Sequence, residues 1–465
     1  KPVRRTYIPK KNGRLRPLGI PTFTDKLVQE VLRMILEAVY EPIFLPTSHG
    51  FRPKRSCHTA LSAMSKSYRG TRWFVEGDIK AFFDNIDHQI LVALISKKVK
   101  DARIVQLVNK MLKAGYMEDW QYHGTFSGTP QGGIISPLLA NIYLHELDVF
   151  MQDMSKHFTK PREQEFTPAY RSALSKVNAI KWRLKNAKDS VEAKLLIKEL
   201  HAARAIMVKI PCKSQTDKKI VYTRYADDFL IGVNGSKEEC VKIKAAIKNF
   251  LSEKLRLELS EEKTLITHTA QHARFLGYDV SVRRTGKLKK DKTGRVMRTL
   301  NSSVELNIPF ADKIERFVLG KQIAAVKQGV LKPICRRKLI RLSDLEIISV
   351  YNSELRGICN YYGLASNYTR LSYFAYLMEY SCLKTLASKH QTTTSKIRKR
   401  FKDGRGGWCI VYTTRKGEQR TYFAKYQDCK SVAYAADRIP ELSLRYWHTS
   451  NSLESRLKAK RCEYC

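Results

Sequence analysis

The sequence predicts an α+β fold distributed over two to four packed units. Its 465 residues are too many for a single hydrophobic core, and the 43% that are hydrophobic suffice to build several. Strand-like segments at 72–80 and 221–233 are interspersed with segments in which apolar residues recur at helical spacing. The third observation is charge, because 85 lysines and arginines face 44 acidic residues and leave a net charge of +41. Such an excess favours a polyanionic partner that relieves the self-repulsion of the compact state.

Nucleic acid is the leading candidate for that partner, and an anionic membrane surface is the alternative. No apolar run approaches the roughly 20 residues of a membrane-spanning helix, which disfavours the membrane. No signal peptide is visible, although the chain begins at Lys1 rather than Met. The ten cysteines stand singly except for Cys462 and Cys465, a pattern typical of reduced thiols in the cytosol rather than of a disulfide framework.

The elements follow from apolar spacing and from flanking turn or cap residues. In the first part of the chain they are short strands within the basic residues 1–23, a helix from Thr24 to Pro42, a strand at 72–80, a helix over 88–98 capped by Asp87, and a helix opened by the cap pair Ser136-Pro137 after the glycine-rich turn at 128–133.

The second part of the chain begins with a charged, lysine-rich segment. Its predicted elements are a helical insertion within 152–218, a hairpin at 221–233, a helix near 237–254, a basic hairpin or loop at 282–298, helices from Asn301 onward, and a small basic unit after His390. Tyr351, Leu355, Ile358 and Tyr362 fall on one helical face, which indicates a bundle core.

Asp227 and Asp228 stand side by side in the hairpin VYTRYADDFLIGV. Adjacent strand residues point to opposite faces, so two neighbouring acids act together only at a turn, which 224–228 would supply. Mg²⁺ would offset their repulsion, and a two-metal site for phosphoryl transfer needs carboxylates from more than one segment. Asp78, at the end of the strand FVEGDI, is the obvious third acid. The alternative is a solvated turn in which both aspartates are ordinary turn formers.

The order of the motifs carries more information than any one of them. They are IPKKNGRLRPLGIP, DIKAFFDNIDH, GTPQGGIISPLLANIYLHELD, YTRYADDFLIGV, ELSEEKTLIT and ARFLGYDV. This series resembles the successive blocks of reverse transcriptases encoded by group II introns, and SELRGICNYYGLASN (Ser353–Asn367) resembles the maturase, or X, region of that family. The resemblance covers essentially the whole chain and is strongest to the bacterial lactococcal type.

The resemblance implies a right-hand polymerase with fingers, a palm built on an antiparallel sheet, a helical thumb and a small basic C-terminal domain. The expected divisions are fingers at 1–70, palm and remaining fingers at 71–300 with the insertion at about 150–218, thumb or maturase X domain at 301–390, DNA-binding domain at 391–450, and a stub of an endonuclease domain at 451–465.

The implied function is that of an RNA-directed DNA polymerase and RNA maturase of a mobile group II intron. Such a protein binds intron RNA to promote splicing and copies it into DNA by target-primed reverse transcription, using two Mg²⁺ ions, target DNA and deoxynucleoside triphosphates. The alternative is a reverse transcriptase of a retron or defence system without a splicing role, against which Ser353–Asn367 argues. We expect no membrane partner and a bacterial, nucleoid-associated ribonucleoprotein in the cytoplasm rather than an organellar one. The sequence leaves the oligomeric state open.

The resemblance also assigns roles to individual residues of this chain. The catalytic and metal-binding set is Asp78, Asp227 and Asp228, with the carbonyl of Ile79. The nucleotide-binding set is Arg4, Lys10, Arg16, Phe83 and Gln131, in which a ring at Phe83 leaves no room for a 2′-hydroxyl. The RNA-binding set is Arg356 and Asn360, and the DNA-binding set, within the basic run 392–406, is Lys396, Arg398, Lys399 and Arg400.

Several of these residues have a structural alternative. Each basic residue of the nucleotide-binding set is otherwise a solvated cation, Phe82 can replace Phe83 as the sugar gate, and Gln131 can instead fix its turn. Lys263 matches a lysine of the family or forms a surface pair with Glu262 or Glu258. Expected structural residues are the core tyrosines Tyr351, Tyr361 and Tyr362, the turn glycines Gly132 and Gly133, and the caps or solvated charges Asp84, Asp87, Glu146 and Asp148.

Cys462 and Cys465 have the spacing of half a zinc site. Proteins of the resembled family continue from such a pair into an H-N-H endonuclease domain, whereas this sequence stops there. We therefore expect no zinc and no second-strand cleavage from this polypeptide, and we expect the family's upstream N-terminal block to be missing from it.

Overall fold

The computed structural model describes residues 1–429 except 10–12, 14, 126, 130–131, 161–165, 188, 211, 213–216, 286, 291–295, 300, 404–406 and 415–416. Within the described residues, no helix is both long enough and apolar enough to cross a bilayer. The expected zinc half-site and endonuclease stub, and residues 430–450 of the last basic unit, lie outside the described residues.

The first elements form the N-terminal part of the chain. They are β1 (Val3–Pro9), β2 (Leu15–Ile20), α1 (Phe23–Tyr40), α2 (Cys57–Ser67), β3 (Trp73–Gly77), α3 (Phe82–Asn85), α4 (His88–Lys98), α5 (Ala102–Leu112), β4 (Tyr116–Glu118), β5 (Gln121–His123) and α6 (Ser136–Phe158). The predicted helix from Thr24, the strand at 72–80 and the Asp87 cap are confirmed. The cap at Ser136 is wrong, because Ile135 occupies the N-cap and Ser136 is the first helical residue.

The middle of the chain contains the two insertion helices and eight of the described strands. Its elements are α7 (Pro168–Asn186), α8 (Ser190–Lys209), β6 (Lys219–Tyr225), β7 (Asp228–Asn234), α9 (Lys237–Leu255), β8 (Ile266–His268), β9 (Ala273–Phe275), β10 (Tyr278–Val282), β11 (Leu288–Lys290), β12 (Val296–Arg298) and β13 (Val304–Asn307). The expected insertion starts later than residue 152, because α6 continues to Phe158.

The last described elements form a helical unit that also contains short strands. They are a π-helical turn at Phe310–Glu315, α10 (Arg316–Gly320), β14 (Ala324–Lys327), β15 (Val330–Pro333), α11 (Asp344–Tyr361), α12 (Leu371–Lys389), α13 (Thr394–Arg400), β16 (Cys409–Thr414) and β17 (Gly417–Tyr422). The helices predicted from Asn301 onward are present as α10, α11 and α12, and three short strands that the sequence did not predict precede α11.

A four-stranded sheet in the order β6-β7-β3-β8 supports the centre of the molecule. β7 runs antiparallel to both β6 and β3, so the hairpin turn and the end of β3 meet at the same edge. The face of this sheet that carries Val75 and Ile231 packs on α6 and α9, in a core that also includes Leu144, Leu147 and Ile247. The helices thus cover the sheet on one side and hold its active edge in place.

A second core unites β9, β10 and β13 with the helices α11 and α12. Tyr351, Leu355 and Tyr362 of the predicted helical face are buried in it, and Tyr361 packs against it while its hydroxyl donates to the carbonyl of Leu276. The interpretation of these tyrosines as core residues is confirmed. Trp408 and Ile410 join the same core, which anchors the hairpin β16-β17 to the helices.

Candidate active site

The two adjacent acids lie at the tip of the β6-β7 hairpin. Tyr225 pairs with Asp228 across the ladder, so the turn itself consists of Ala226 and Asp227, and Asp228 is the first residue of β7. Ala226 has a left-handed φ of 57°. Gly50 lies so close to this turn that a Cβ there would come within 2.4 Å of the Ala226 nitrogen. The chain before α2 therefore clamps the turn from outside, and only glycine permits that approach.

Asp78 reaches the same place from the neighbouring strand. Gly77, the last residue of β3, pairs with Phe229, so Asp78 follows at the level of Asp228. This register brings Asp78 within hydrogen-bonding reach of Asp228. The structure therefore brings together the three acids that the sequence predicts, and we call Asp78, Asp227 and Asp228 the carboxylate cluster.

The electrostatics of the carboxylate cluster reflect this crowding. Burial raises the pKa of Asp227, and the charge of Asp78 raises it further. For Asp228, desolvation by the walls of the site together with the charges of Asp227 and Asp78 raises the pKa to about 6. Like charges this close disfavour full ionisation, which a cation between them would reverse.

Lys263 supplies one such positive charge. Its Nζ lies 2.7 Å from Oδ2 of Asp78, and this hydrogen bond raises the pKa of the lysine. A surface pair between Lys263 and Glu258 is the alternative that the structure contradicts, because Glu258 pairs with Lys80 at 3.1 Å. Glu262 is the other proposed partner. Lys263 therefore contacts the carboxylate cluster, while 68% of its side chain remains exposed.

The donor atoms of this site fit a hard divalent cation. Carboxylate and carbonyl oxygens are the ligands that Mg²⁺ prefers. Ile79 and Leu259 form an antiparallel bridge whose two hydrogen bonds run from Lys80 N–H to Glu258 and from Ser260 N–H to Asp78, so neither bond uses the Ile79 carbonyl. Across the described ranges, no three His, Cys, Asp or Glu side chains already stand in a metal-binding arrangement. The fit of the carboxylate cluster to a divalent cation thus rests on its oxygen donors and on the mutual repulsion of the acids.

A buried ion pair beneath the turn is the main feature that the sequence interpretation missed. Arg224 and Asp148 are both fully buried and form two hydrogen bonds, of 2.8 Å from Nε and 2.6 Å from Nη2. Nη1 of Arg224 also donates to the carbonyl of Ala226 at 2.9 Å, inside the turn. The expectation that Asp148 is a cap or a solvated charge is wrong.

One sequence signal could have revealed this role. Asp148 lies on α6 four residues after Leu144 and three before Met151, both of which are fully buried. A carboxylate on an apolar helical face needs a buried partner, because an isolated charge there is costly. The prediction for Asp87 is confirmed, because Asp87 caps α4. Its side chain also pairs with Arg256 at 2.7 Å.

The hairpin β1-β2 places one predicted nucleotide-binding cation near the acids. The positive charge of Arg16 lowers the pKa of Asp227, against the larger effect of burial. Arg16 pairs with Ile8 whereas Arg4 pairs with Ile20, so Arg4 lies on the same face but four residues further along the ladder. Lys10 and Gln131 lie outside the described residues.

The two phenylalanines after Asp78 have different surroundings. Phe82 is buried in the core, 2% exposed, whereas Phe83 lines a cavity of about 280 Å³ together with Gly19 and Gly128. Of the predicted turn glycines, Gly132 has a φ of 112°, and a Cβ there would meet the carbonyl oxygen of Gly19 at 2.8 Å. The glycine-rich turn therefore packs directly against β2.

The predicted RNA-binding and DNA-binding residues share one surface. Arg356 and Asn360 are exposed on α11, as expected, and they line a groove of about 1270 Å³. Arg398 and Lys399 of α13 line the same groove, and we call it the α11–α13 groove. Lys396 and Arg400 are exposed on α13 as well, but they do not line it.

Two family models match the chain. The model of reverse transcriptase (RNA-dependent DNA polymerase) matches residues 8–167 and 195–280, and that of type II intron maturase matches residues 301–444. The first match covers about half of the chain, including the palm sheet and the carboxylate cluster. The chain is therefore an RNA-directed DNA polymerase of the reverse transcriptase class.

Similar proteins narrow the class to one family. The group II intron-encoded protein LtrA of Lactococcus lactis is 57% identical over 467 residues, covering 100% of this chain and 78% of that protein. A 91 kDa protein in the cob intron of Schizosaccharomyces pombe is 37% identical, covering 86% of this chain and 48% of its own length. A telomerase from Candida tropicalis aligns at 13% identity over 86% of this chain and 55% of its own, with a TM-score of 0.41, a likeness too distant to add to the assignment. The chain belongs to the group II intron-encoded reverse transcriptase/maturase family, and the match at 301–444 speaks against a retron enzyme without a splicing role.

Proposed function

We propose that the carboxylate cluster and the Ile79 carbonyl hold two Mg²⁺ ions for nucleotide addition to a primer 3′ end. The observation that carries this proposal is the convergence of three acids from two strands. Burial and the charge of Asp78 raise the pKa of Asp227, and burial together with the charges of Asp227 and Asp78 raises the pKa of Asp228. When bound, the two ions activate the attacking hydroxyl and stabilise the leaving pyrophosphate. Asp78 and Asp227 are assigned to both ions, and Asp228 supports them.

The protein's own groups prepare this site for a cation. Lys263 places a positive charge beside Asp78 through its 2.7 Å hydrogen bond. Arg224 fixes the carbonyl of Ala226 and thereby the direction of the neighbouring Asp227 side chain. Because the turn is held before any ligand binds, little reorganisation is needed on binding.

We propose that the incoming deoxynucleoside triphosphate lies between the carboxylate cluster and the β1-β2 hairpin. Arg16 supports this, since its charge already acts on Asp227 and would offset charge that develops on the triphosphate. Lys10, Arg4 and Gln131 are assigned to the same ligand from the resemblance of their motifs. Phe83 is the proposed sugar gate, because it lines a cavity whereas its neighbour Phe82 belongs to the core.

Replacing Phe83 with alanine is expected to lower discrimination against ribonucleotides by roughly 10- to 200-fold, the effect of removing close packing against one group. The measurement is the ratio of kcat/KM for a deoxynucleotide and its ribonucleotide in primer extension on an RNA template.

Phe82→Ala serves as the matched control for this experiment. It should destabilise the fold by about 3–5 kcal/mol, as expected for a truncated core aromatic, and leave the sugar preference unchanged. Unchanged discrimination in Phe83→Ala, or lost discrimination in Phe82→Ala, would move the gate away from Phe83.

We propose that the α11–α13 groove binds the nucleic acid partners, with Arg356 and Asn360 contacting intron RNA and α13 contacting target DNA. The RNA part follows from membership in a maturase family, and the DNA part rests on the four exposed cations of α13. Tyr376 lines the groove beside these cations and is 45% exposed, so its ring offers a surface on which a base can stack.

Arg356→Ala is expected to weaken intron RNA binding and to lower the salt dependence of log Kd by about one unit, the effect of one lost phosphate contact. The double variant Arg398→Ala/Lys399→Ala should do the same for target DNA, with about twice the change in slope. Lys110→Ala, an exposed lysine on α5, is the control. If either variant weakens both ligands equally, the division between RNA and DNA residues is wrong.

The division of the chain follows the two cores. We propose fingers at 1–70, a palm with remaining fingers at 71–300, a thumb at 301–390 and a DNA-binding unit from 391 onward. The core that α11 and α12 form supports a boundary near 301, although residues of α2, β9 and β10 from before that boundary also pack into it. A nucleoid-associated ribonucleoprotein in a bacterial cytoplasm is the proposed setting, by analogy with the lactococcal relative.

A further inference from the structure

The hairpin that joins β4 to β5 turns through only two residues. Glu118 pairs with Gln121, so the turn consists of Asp119 and Trp120 alone. Both have left-handed backbone conformations, with a φ of 48° at Asp119 and of 64° at Trp120. Two successive left-handed residues form a type I′ turn, which favours asparagine, aspartate and glycine. Aspartate therefore suits the first position, whereas tryptophan occupies the second at a cost in backbone strain.

Trp120 gains no packing within the fold that would offset this strain. It is 96% exposed, so its indole ring buries almost no apolar surface and adds little hydrophobic stabilisation. Strained backbone conformations of this kind are concentrated at functional sites. The combination of strain and exposure therefore indicates that the ring serves a ligand rather than the fold.

A cation and apolar side chains lie next to this ring. Trp120 lines a groove of about 590 Å³ together with Arg4, Ile20 and Met117. Arg4 pairs with Ile20 on one neighbouring strand and with Met117 on the other, so these three side chains share one face of the sheet. Arg4 is exposed there. The groove thus offers a positive charge beside an open aromatic ring.

A second aromatic ring lies on the same face of the sheet. Tyr122 pairs with Met117 across the β4-β5 hairpin and is 59% exposed. Its ring lies against Gly115, where a Cβ would come within 2.6 Å of a ring atom. Glycine at that position therefore allows the ring to approach the backbone, which fixes its place. We call Trp120 and Tyr122 the aromatic platform.

The face that carries the aromatic platform also leads to the carboxylate cluster. Arg16 pairs with Ile8, which lies four residues from Arg4 on β1, so Arg16 and Arg4 share this face. The charge of Arg16 acts on Asp227. From β2, which carries Arg16, the tip of the β4-β5 hairpin is two to three strands away, or roughly 10–14 Å at the usual strand spacing. That span corresponds to about three or four stacked nucleotides at about 3.4 Å each.

We propose that the aromatic platform stacks on unpaired bases of the RNA template that are still to be copied, about three or four nucleotides ahead of the templating base. This inference rests on the polymerase site proposed above, because that site determines where the templating base lies. An exposed ring can stack on any base, as the copying of a long and varied template requires. Arg4 would neutralise a phosphate between the platform and the carboxylate cluster. The net charge of +41 favours such a polyanion over a protein partner.

The test measures binding of the template without nucleotide addition. Two duplexes of RNA template and DNA primer are compared, one with a single unpaired template nucleotide and one with an unpaired extension long enough to reach the platform. The wild type should bind the longer extension more tightly by roughly 5- to 150-fold, the range that stacking on aromatic side chains provides.

Trp120→Asn separates a role in binding from a role in the fold. Asparagine favours the left-handed turn that tryptophan strains, so the variant should unfold at a temperature no lower than the wild type. It should nevertheless lose most of the preference for the longer extension. Trp120→Phe retains a ring and should retain most of that preference. Trp182→Ala removes another exposed tryptophan, 69% exposed on α7, and as the matched control should bind like the wild type.

A fluorescent base analogue locates the contact along the template. With 2-aminopurine at successive unpaired positions, quenching by the wild type should be strongest about three or four nucleotides ahead of the templating base, and Trp120→Asn should abolish it. These measurements need neither Mg²⁺ nor a deoxynucleotide, so an error in the metal assignment would leave them unchanged. A wild type without preference for the longer extension, or a preference that Trp120→Asn retains, would overturn the proposal. Equal losses of affinity for both duplexes in Trp120→Asn would also overturn it.

Discussion

Replacing Asp227 with alanine is expected to abolish primer extension on an RNA template while leaving RNA binding intact. Asp227 is assigned to both metal ions, and a bound ion contributes several kcal/mol of charge stabilisation in the transition state. A loss of about 4 kcal/mol corresponds to roughly a 1000-fold decrease in kcat. Removing Asp227 should also lower the pKa of Asp228, which is about 6 partly because of the charge of Asp227.

The appropriate control is an acid close in sequence that does not belong to the carboxylate cluster. Asp84 is exposed at the start of α3, six residues after Asp78, and Asp84→Asn should retain full activity. RNA affinity measured for both variants separates loss of chemistry from loss of template. An Asp227→Ala protein that still extends a primer would show that the metal assignment is wrong.

Local patterns in the sequence predict the elements that surround the acids. The β-favouring runs on either side of the turn within 221–233 correspond to β6 and β7, and the apolar spacing after Thr24 corresponds to α1. The sequence also predicts correctly that Asp78 joins the other two acids. An acid that follows the end of a strand can meet the tip of a hairpin only when both lie at the same edge of a sheet. These features depend on short stretches of chain, which a sequence displays directly.

Features that depend on long-range contact are harder to predict. Lys263 reaches Asp78 across 185 residues, and nothing in ELSEEKT distinguishes that partner from the nearby glutamates. The strands β13, β14 and β15 have only four residues each, too few to show a period. Ser136 is a residue type that favours the N-cap, but Ile135 takes that position because the helix starts at Ser136, one residue earlier than the predicted cap requires.

The Arg224–Asp148 pair shows how a contact of this kind governs the site. Arg224 lies one residue before Tyr225. The sequence predicts it as part of the turn at 224–228, whereas it belongs to β6. In the fold its guanidinium makes five hydrogen bonds, to Asp148 twice and to Asn141, Ala226 and Ser48 once each. The turn that carries the two acids is therefore held by a buried ion pair, in which Asp148 neutralises the charge of Arg224.

Asp148→Ala is expected to lower the free energy of unfolding by about 3–5 kcal/mol, because it leaves the Arg224 guanidinium buried without a counter-charge. The measurement is chemical denaturation followed by far-ultraviolet circular dichroism. Asp153→Ala on the same helix is the matched control. It breaks the exposed Asp153–Lys156 pair of 3.1 Å and should cost less than about 1 kcal/mol.

A double variant separates stability from positioning. Asp148→Leu/Arg224→Met replaces the buried pair with apolar side chains and should recover most of the stability, since such exchanges are often neutral. It cannot restore the 2.9 Å hydrogen bond to the Ala226 carbonyl. Polymerase activity should therefore stay about 10- to 100-fold below wild type, the usual cost of losing a group that orients metal ligands. A stable double variant with full activity would show that Arg224 stabilises the fold without positioning the turn.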